Sequence, residues 1–150
     1  MKTVRKLAAV VLVGAMALSI AACKKSAKKV SVDDFKKACE EVGLTVENLG
    51  GGGGMKEVWG CENSDGSLEV TYCIVEDKAD AKKQFEQYTS MEDQLKEEGA
   101  DVKISGTRME ASKDGTYIFA VLADDMFINI IAWGEDSTET AKKIVEKLGV

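Results

Sequence analysis

"TYIFAVLADDMFINIIAW", residues 116–133, sets two eight-residue apolar runs on either side of a pair of aspartates. Runs this short, rich in β-branched and aromatic residues and bounded by turn-forming residues, read as strands. Near-continuous apolar character, without polar alternation, belongs to strands in the middle of a covered sheet. The stretch therefore predicts strands Thr116–Ala123 and Met126–Trp133, joined tightly at Asp124-Asp125. The rest of the chain supplies the covering helices and the flanking strands.

Upstream, Val102–Met109 reads as one strand, and Met55–Glu62 and Leu68–Glu76 as two more. The latter pair flanks Asn63-Ser64-Asp65-Gly66-Ser67, in which Asp65-Gly66 suits a type I′ turn with positive φ at both central residues. That turn sets Cys61 opposite Val70. Trp59, Cys61, Leu68, Val70, Tyr72 and Ile74 then share one face, and Cys73 points to the other. A calcium loop aligned on Gly66 would need ligands from Cys61 and Tyr72, neither a carboxylate, so that reading fails.

Helical periodicity recurs three times. Ser31 caps a helix with Asp34 near the capping-box position and Val30 stapled to Phe35; Phe35, Ala38, Cys39 and Val42 form its inner stripe. Asp80–Glu98 carries Ala81, Phe85, Tyr88, Met91 and Leu95 inward and ends at Gly99. Asp136-Ser137-Thr138-Glu139 offers another capping box, leading into Ala141, Ile144, Val145 and Leu148. Leu44–Leu49 is a candidate short strand. Gly50–Gly54 is not followed by the Lys-Ser/Thr of a phosphate loop and reads as a slack surface linker. The resulting order, α-β-β-α-β-β-β-α, predicts an α+β domain: an antiparallel sheet of about five strands packed with three helices.

Composition narrows the chemistry. The chain has no histidine, which removes His-assisted nucleophiles and the commonest metal ligand. All 26 acids follow residue 29, as do only 13 of the 20 basic residues, so residues 30–150 carry a net charge of −13. Such a surface repels nucleic acid. No cofactor and no metal site is expected: Cys39, Cys61 and Cys73 are spaced by 22 and 12 residues, unlike a zinc site. The apolar face that holds Cys61 should meet the helix stripe that holds Cys39. The expected disulfide is therefore Cys39–Cys61, with Cys73 left free.

The amino terminus carries the clearest signal. Met1–Lys6 is basic, and Leu7–Ala22 is a sixteen-residue run of apolar and small residues with one serine. It is too short for a comfortable membrane span and shaped like an export signal. Ile20-Ala21-Ala22-Cys23 resembles the lipobox of bacterial lipoproteins. The resemblance implies a diacylglyceryl thioether on Cys23, with palmitate-type chains, and cleavage before that residue. Residues 1–22 are then a signal peptide, 23–29 a lipidated cysteine with a lysine-rich tether, and 30–150 a single domain. Two acyl chains hold a protein stably where one does not.

Residues 68–149 also resemble the carboxy-terminal part of small lipoproteins from Firmicutes. The likeness lies in "EDKADAKKQFEQY" (76–88), "DGTYIFAVLADDMFINIIA" (114–132) and "VEKLGV" (145–150). It implies export, anchoring and an α+β domain, and brings no activity or functional residues. The expected function is a lipid-anchored protein on the extracytoplasmic face of the cell membrane. Its domain is non-catalytic and binds an envelope protein or small ligand in a groove near the sheet's open face. Trp59 and Trp133 are candidate ligand contacts, weighed against ordinary core packing. The alternatives are a carboxylate-dependent hydrolase, which needs two acids converging in a pocket, and an inhibitor of an envelope enzyme. Adjacent Asp124 and Asp125 should point apart at a hairpin tip rather than form such a pair.

Overall fold

In the computed structural model the described residues are 27–150; the predicted signal peptide, its Ile20-Ala21-Ala22 lipobox, Cys23 and the start of the tether lie outside them. In chain order the described residues form α1 (Val32–Glu40), β1 (Glu47–Gly52), β2 (Met55–Glu62), β3 (Leu68–Val75), α2 (Lys78–Thr89), α3 (Glu92–Glu97), β4 (Asp101–Ser105), β5 (Arg108–Lys113), β6 (Thr116–Ala123), β7 (Met126–Trp133) and α4 (Glu135–Leu148). The fold is α+β. One wholly antiparallel sheet has seven strands, not about five, in the order β1-β2-β3-β7-β6-β5-β4.

The quoted hairpin forms where the sequence puts it, with Ala123 paired to Met126 across Asp124-Asp125. Its apolar continuity has a direct cause: the sheet is covered on both faces. On one side α1 and α4 enclose Phe35, Tyr72, Phe119, Val121, Ile128, Ile130 and Ile144. On the other, Ala81 and Phe85 of α2 pack with Val75, Met109, Ala120, Leu122 and Phe127. Strand β7, fourth of seven, is buried from both directions.

The additional strands come from a hairpin inside Val102–Met109 and from the short strand expected at Leu44–Leu49, which starts at Glu47 and runs on into the glycines. Val102–Met109 is two strands, because Gly106 takes φ 62° and turns the chain so that Ser105 pairs with Arg108. The Gly50–Gly54 linker is also corrected. Glu47–Gly52 pairs with β2 through two register shifts, and the chain reverses at Gly53 and Gly54, φ 61° and 89°. Glycine is required there by proximity as well as by turning: a Cβ on Gly51 would lie 2.7 Å from Lys56 O and 2.8 Å from Met55 O.

The β2–β3 register is the one expected, Cys61 opposite Val70 and Trp59 opposite Tyr72. The turn differs. Gly66 has φ 67° but Asp65 is not among the positive-φ residues, and Asn63 N–H bonds Leu68 O across a four-residue loop. Two-residue and four-residue loops have the same parity, so every side chain keeps its predicted face. Positive φ at both central residues of an Asp-Gly turn occurs instead at Asp114-Gly115, φ 46° and 77°, joining β5 to β6.

The helix expected over 80–98 starts earlier, capped by Asp77 accepting from Ala79 N–H at 2.8 Å, and breaks after Thr89. Thr89 and Ser90 donate their hydroxyls back to Glu86 O and Gln87 O, a bonding pattern that bends helices. At α4 the capping box is not used. Gly134 takes the cap position, while Thr138 Oγ1 donates to Gly115 O at 2.8 Å. At α1 the Ser31 cap holds, accepting from Asp34 N–H at 3.1 Å.

Candidate functional site

The sheet has two distinct ends. At one lie the turns after β1, β4 and β6 and the entry of the chain into the domain. Residues 27–29, read as the last of the tether, are fixed there. Ala27 N–H donates to Thr107 Oγ1 at 3.1 Å, Lys29 pairs with Asp125, and Tyr72 donates to Val30 O at 3.0 Å. Beside the entry is a hollow of about 260 Å³ lined by Lys28, Lys29, Lys37 and Lys147 against Asp34 and Glu41. It is a locally basic spot on a strongly acidic domain.

Towards the opposite end, the outer part of the sheet carries a shallow groove of about 430 Å³. Helix α2 packs mainly on β3, β7 and β6. Beside it the groove is lined by Thr45 just before the first strand, Glu47 and Leu49 on that strand, Gly60 and Glu62 on the second, and Glu69 and Thr71 on the third. Leu49, 61% accessible, is the exposed large hydrophobic side chain among the described residues. It rests over Gly60, where a Cβ would come within 2.8 Å of Leu49 Cδ1. The absence of a side chain at Gly60 creates the floor.

Glu62 and Glu69 sit directly opposite each other in the β2–β3 pair. Like charges in that position repel, so the arrangement costs stability and is a local inconsistency with the rest of the fold. With Glu47, paired to Gly60 on the next strand, the two acids give the groove three carboxylates around one apolar side chain. Its chemistry suits a ligand with a cationic group and an apolar part. No group of three His, Cys, Asp or Glu side chains arranged to hold a metal occurs among the described residues.

The predicted tryptophans are not brought together, and neither lines the groove. Trp59 faces the α1 side with Lys36 Nζ 3.6 Å above its ring and its indole N–H bonded to Glu57. Trp133, half-buried, belongs by strand alternation to the opposite face. The groove residues were not singled out from the sequence. The available signal was Leu49 standing immediately before the glycine run, together with two glutamates placed opposite by the register.

The aspartates of the β6–β7 tip do point apart: Asp124 pairs with Lys78, Asp125 with Lys29. The Lys29 hydrogen bond holds Asp125 below the usual carboxylate range. Lys147 and Lys143 do the same for Glu41 and Glu139, and Ser67 for Asp65. Burial pushes Glu110 up, but hydrogen bonds from Tyr117 at 2.6 Å and from Arg108 outweigh it and leave the carboxyl lowered. Carboxyls displaced downward are suited to charge pairing, not to proton donation near neutral pH.

Cys39, on α1, and Cys61, on β2, are buried in the same core cluster, and no disulfide joins them. The neighbouring Cys61 and burial push the Cys39 thiol up, while Cys39 pulls Cys61 down against burial. Cys73 is also buried, on the opposite face, and burial pushes it up to about 11.

No helix among the described residues is long and apolar enough to cross a membrane. No protein-family model and no curated protein matches the chain. It is similar to the crystal structure of a GTP binding regulator from Thermotoga maritima, with 15% identity, 79% of this chain and 87% of that one covered, and a TM-score of 0.43. Likeness at that level carries neither activity nor ligand to this chain.

Proposed function

We propose that this chain is a lipid-anchored lipoprotein of the extracytoplasmic membrane face whose domain binds a ligand or partner and does not catalyse. The anchor is argued from residues 1–23: a basic start, a sixteen-residue apolar run, two small residues and then Cys23. The observation that carries the binding reading is the groove, with exposed Leu49 set among Glu47, Glu62 and Glu69 at the end of the sheet remote from the chain's entry.

The two ends of the domain suit this reading. A tether leaving at Ala27 puts the lysine-lined hollow nearest the membrane, where each lysine near anionic headgroups is worth about 1 kcal/mol. The groove then faces away from the bilayer. A cationic, partly apolar ligand fits its charge, whether a small molecule or a basic segment of an envelope protein.

The hydrolase reading requires two acids converging with at least one raised in pKa. Asp125 and Glu110, the displaced carboxyls that are not fully exposed, are both lowered and each is held by a basic partner. Inhibition of an envelope enzyme by the acidic loops has no structural feature that favours it.

The test of the anchor is cell fractionation of the wild type and of Cys23→Ser, with metabolic labelling by a fatty acid. The wild type is expected in the membrane fraction, labelled and cleaved; the variant is expected unlabelled. Equal behaviour of the two, with no label in either, contradicts the proposal.

A further inference from the structure

We infer that Cys39 and Cys61 form the disulfide of this domain and that Cys73 is excluded from it. Oxidation of buried thiols depends first on which sulfurs can meet. Cys39 lies on the inner face of α1, and Cys61 on the strand face that α1 covers. Helix and sheet are held together next to them by Phe35 and Tyr72, whose ring centroids are 5.1 Å apart. Both thiols are buried in that one core cluster, near enough for each to displace the other's ionisation.

Cys73 cannot substitute for either. It pairs with Val58 across the strands, and its side chain emerges on the face covered by α2, where its charge would act on Tyr88. The sheet backbone separates it from the other two sulfurs.

The step balances as thiol–disulfide exchange. One of the two cysteines, as its thiolate, attacks an external disulfide and expels one thiolate of that oxidant, forming a mixed disulfide. The other, losing its proton, then attacks the sulfur of the first and expels the second thiolate. Two S–H bonds are lost, one S–S bond forms, and two electrons reduce the external disulfide to two thiols. Both sulfurs are buried in the finished domain, so the exchange takes place during folding. The inference rests on the packing of α1 against β2 and stands apart from the anchor: export decides whether the oxidant is met, not which sulfurs pair.

Cys61 also lines the groove. A bond from it to α1 fixes the strand that forms the groove floor to the helix behind it.

The test is refolding of the full chain carrying Cys23→Ser in oxidised glutathione, alkylation of residual thiols, and peptide mapping without reduction. Cleavage after glutamate is needed, because Glu62 and Glu69 lie between Cys61 and Cys73 whereas no lysine or arginine does. The expected product is one cross-linked Cys39–Cys61 peptide, with Cys73 alkylated only after unfolding. Cys73→Ala should leave that product unchanged. A cross-link that includes Cys73, or three alkylated thiols after oxidation, overturns the inference.

Discussion

The phenol of Tyr72 donates to the carbonyl of Val30 at 3.0 Å, joining the third strand to the residue where the chain enters the domain. Both residues are buried, and the amide of Val30 is occupied with Met126 Sδ at 3.2 Å. Removing the hydroxyl leaves a buried carbonyl without its partner. Tyr72→Phe should therefore cost about 1–3 kcal/mol in urea unfolding with an unchanged m-value. A variant as stable as the wild type would mean that Val30 is not held by this bond.

Gly51 distinguishes a strand from a linker by the sign of one measurement. Alanine in a flexible linker stabilises by about 0.4–1 kcal/mol through the unfolded chain. Here a Cβ would meet backbone oxygens of Lys56 and Met55 at 2.7 and 2.8 Å. Gly51→Ala should destabilise the domain and remove amide protection from the β1–β2 pair, while β6 and β7 stay protected in hydrogen exchange. A gain in stability would restore the linker reading.

Asn63, Ser67 and Ser137 form a closed polar cluster: Ser67 Oγ lies 2.6 Å from Ser137 Oγ, and Asn63 Nδ2 donates to both hydroxyls. It ties the β2–β3 loop to the first turn of α4. Ser137 is the one buried polar residue among those described. Ser137→Val should cost about 1–3 kcal/mol by leaving Asn63 and Ser67 underbonded; urea unfolding measures it, and a neutral result would contradict the cluster.

The pH profile has two predicted limbs. Asp125 and Glu110 have folded-state pKa values below their unfolded ones, so their contribution is present above about pH 4 and is lost as pH falls through the folded values. Asp125→Asn should flatten the acid limb, and salt should weaken its Lys29 component. Burial pushes Tyr72 and Tyr88 up to about 12. Raised groups stabilise below the unfolded pKa of about 10 and lose that contribution as pH rises through 12. Thermal unfolding across pH measures both limbs; an alkaline limb unchanged by Tyr88→Phe would contradict the assignment.

The groove should select charge and apolarity together. Titration of a short alkylammonium ion should shift amide resonances of Glu47, Leu49, Gly60–Glu62 and Glu69–Thr71, and an alkyl sulfate should not. Leu49→Ser and Glu69→Gln should each weaken the response several-fold. Shifts spread evenly over the acidic surface and indifferent to these substitutions would contradict the groove as a site.

Much of the architecture was legible because it depends on patterns a chain carries locally. The 116–133 hairpin could be read from two apolar runs and a tight polar junction, and the face of Cys61 from alternation alone. The break between the fourth and fifth strands and the full extent of the first were hidden for different reasons. Gly106 interrupts a run that otherwise alternates like one strand, and beyond Leu49 the first strand is glycine alone, with no side-chain pattern to read. The first strand exists because glycine lets its backbone lie against β2, a tertiary contact with little local signature. The groove was illegible for the same reason: its floor is the missing side chain of Gly60, and its carboxylates converge only once β1 has paired.

The most direct test of the account is the intact mass and amino-terminal peptide of the protein purified from its native membrane. The account predicts a chain beginning at Cys23, heavier than the unmodified polypeptide by a diacylglyceryl group, and water-soluble once that group is removed. A chain that keeps residues 1–22, or begins at any residue other than Cys23 with no lipid attached, would contradict it.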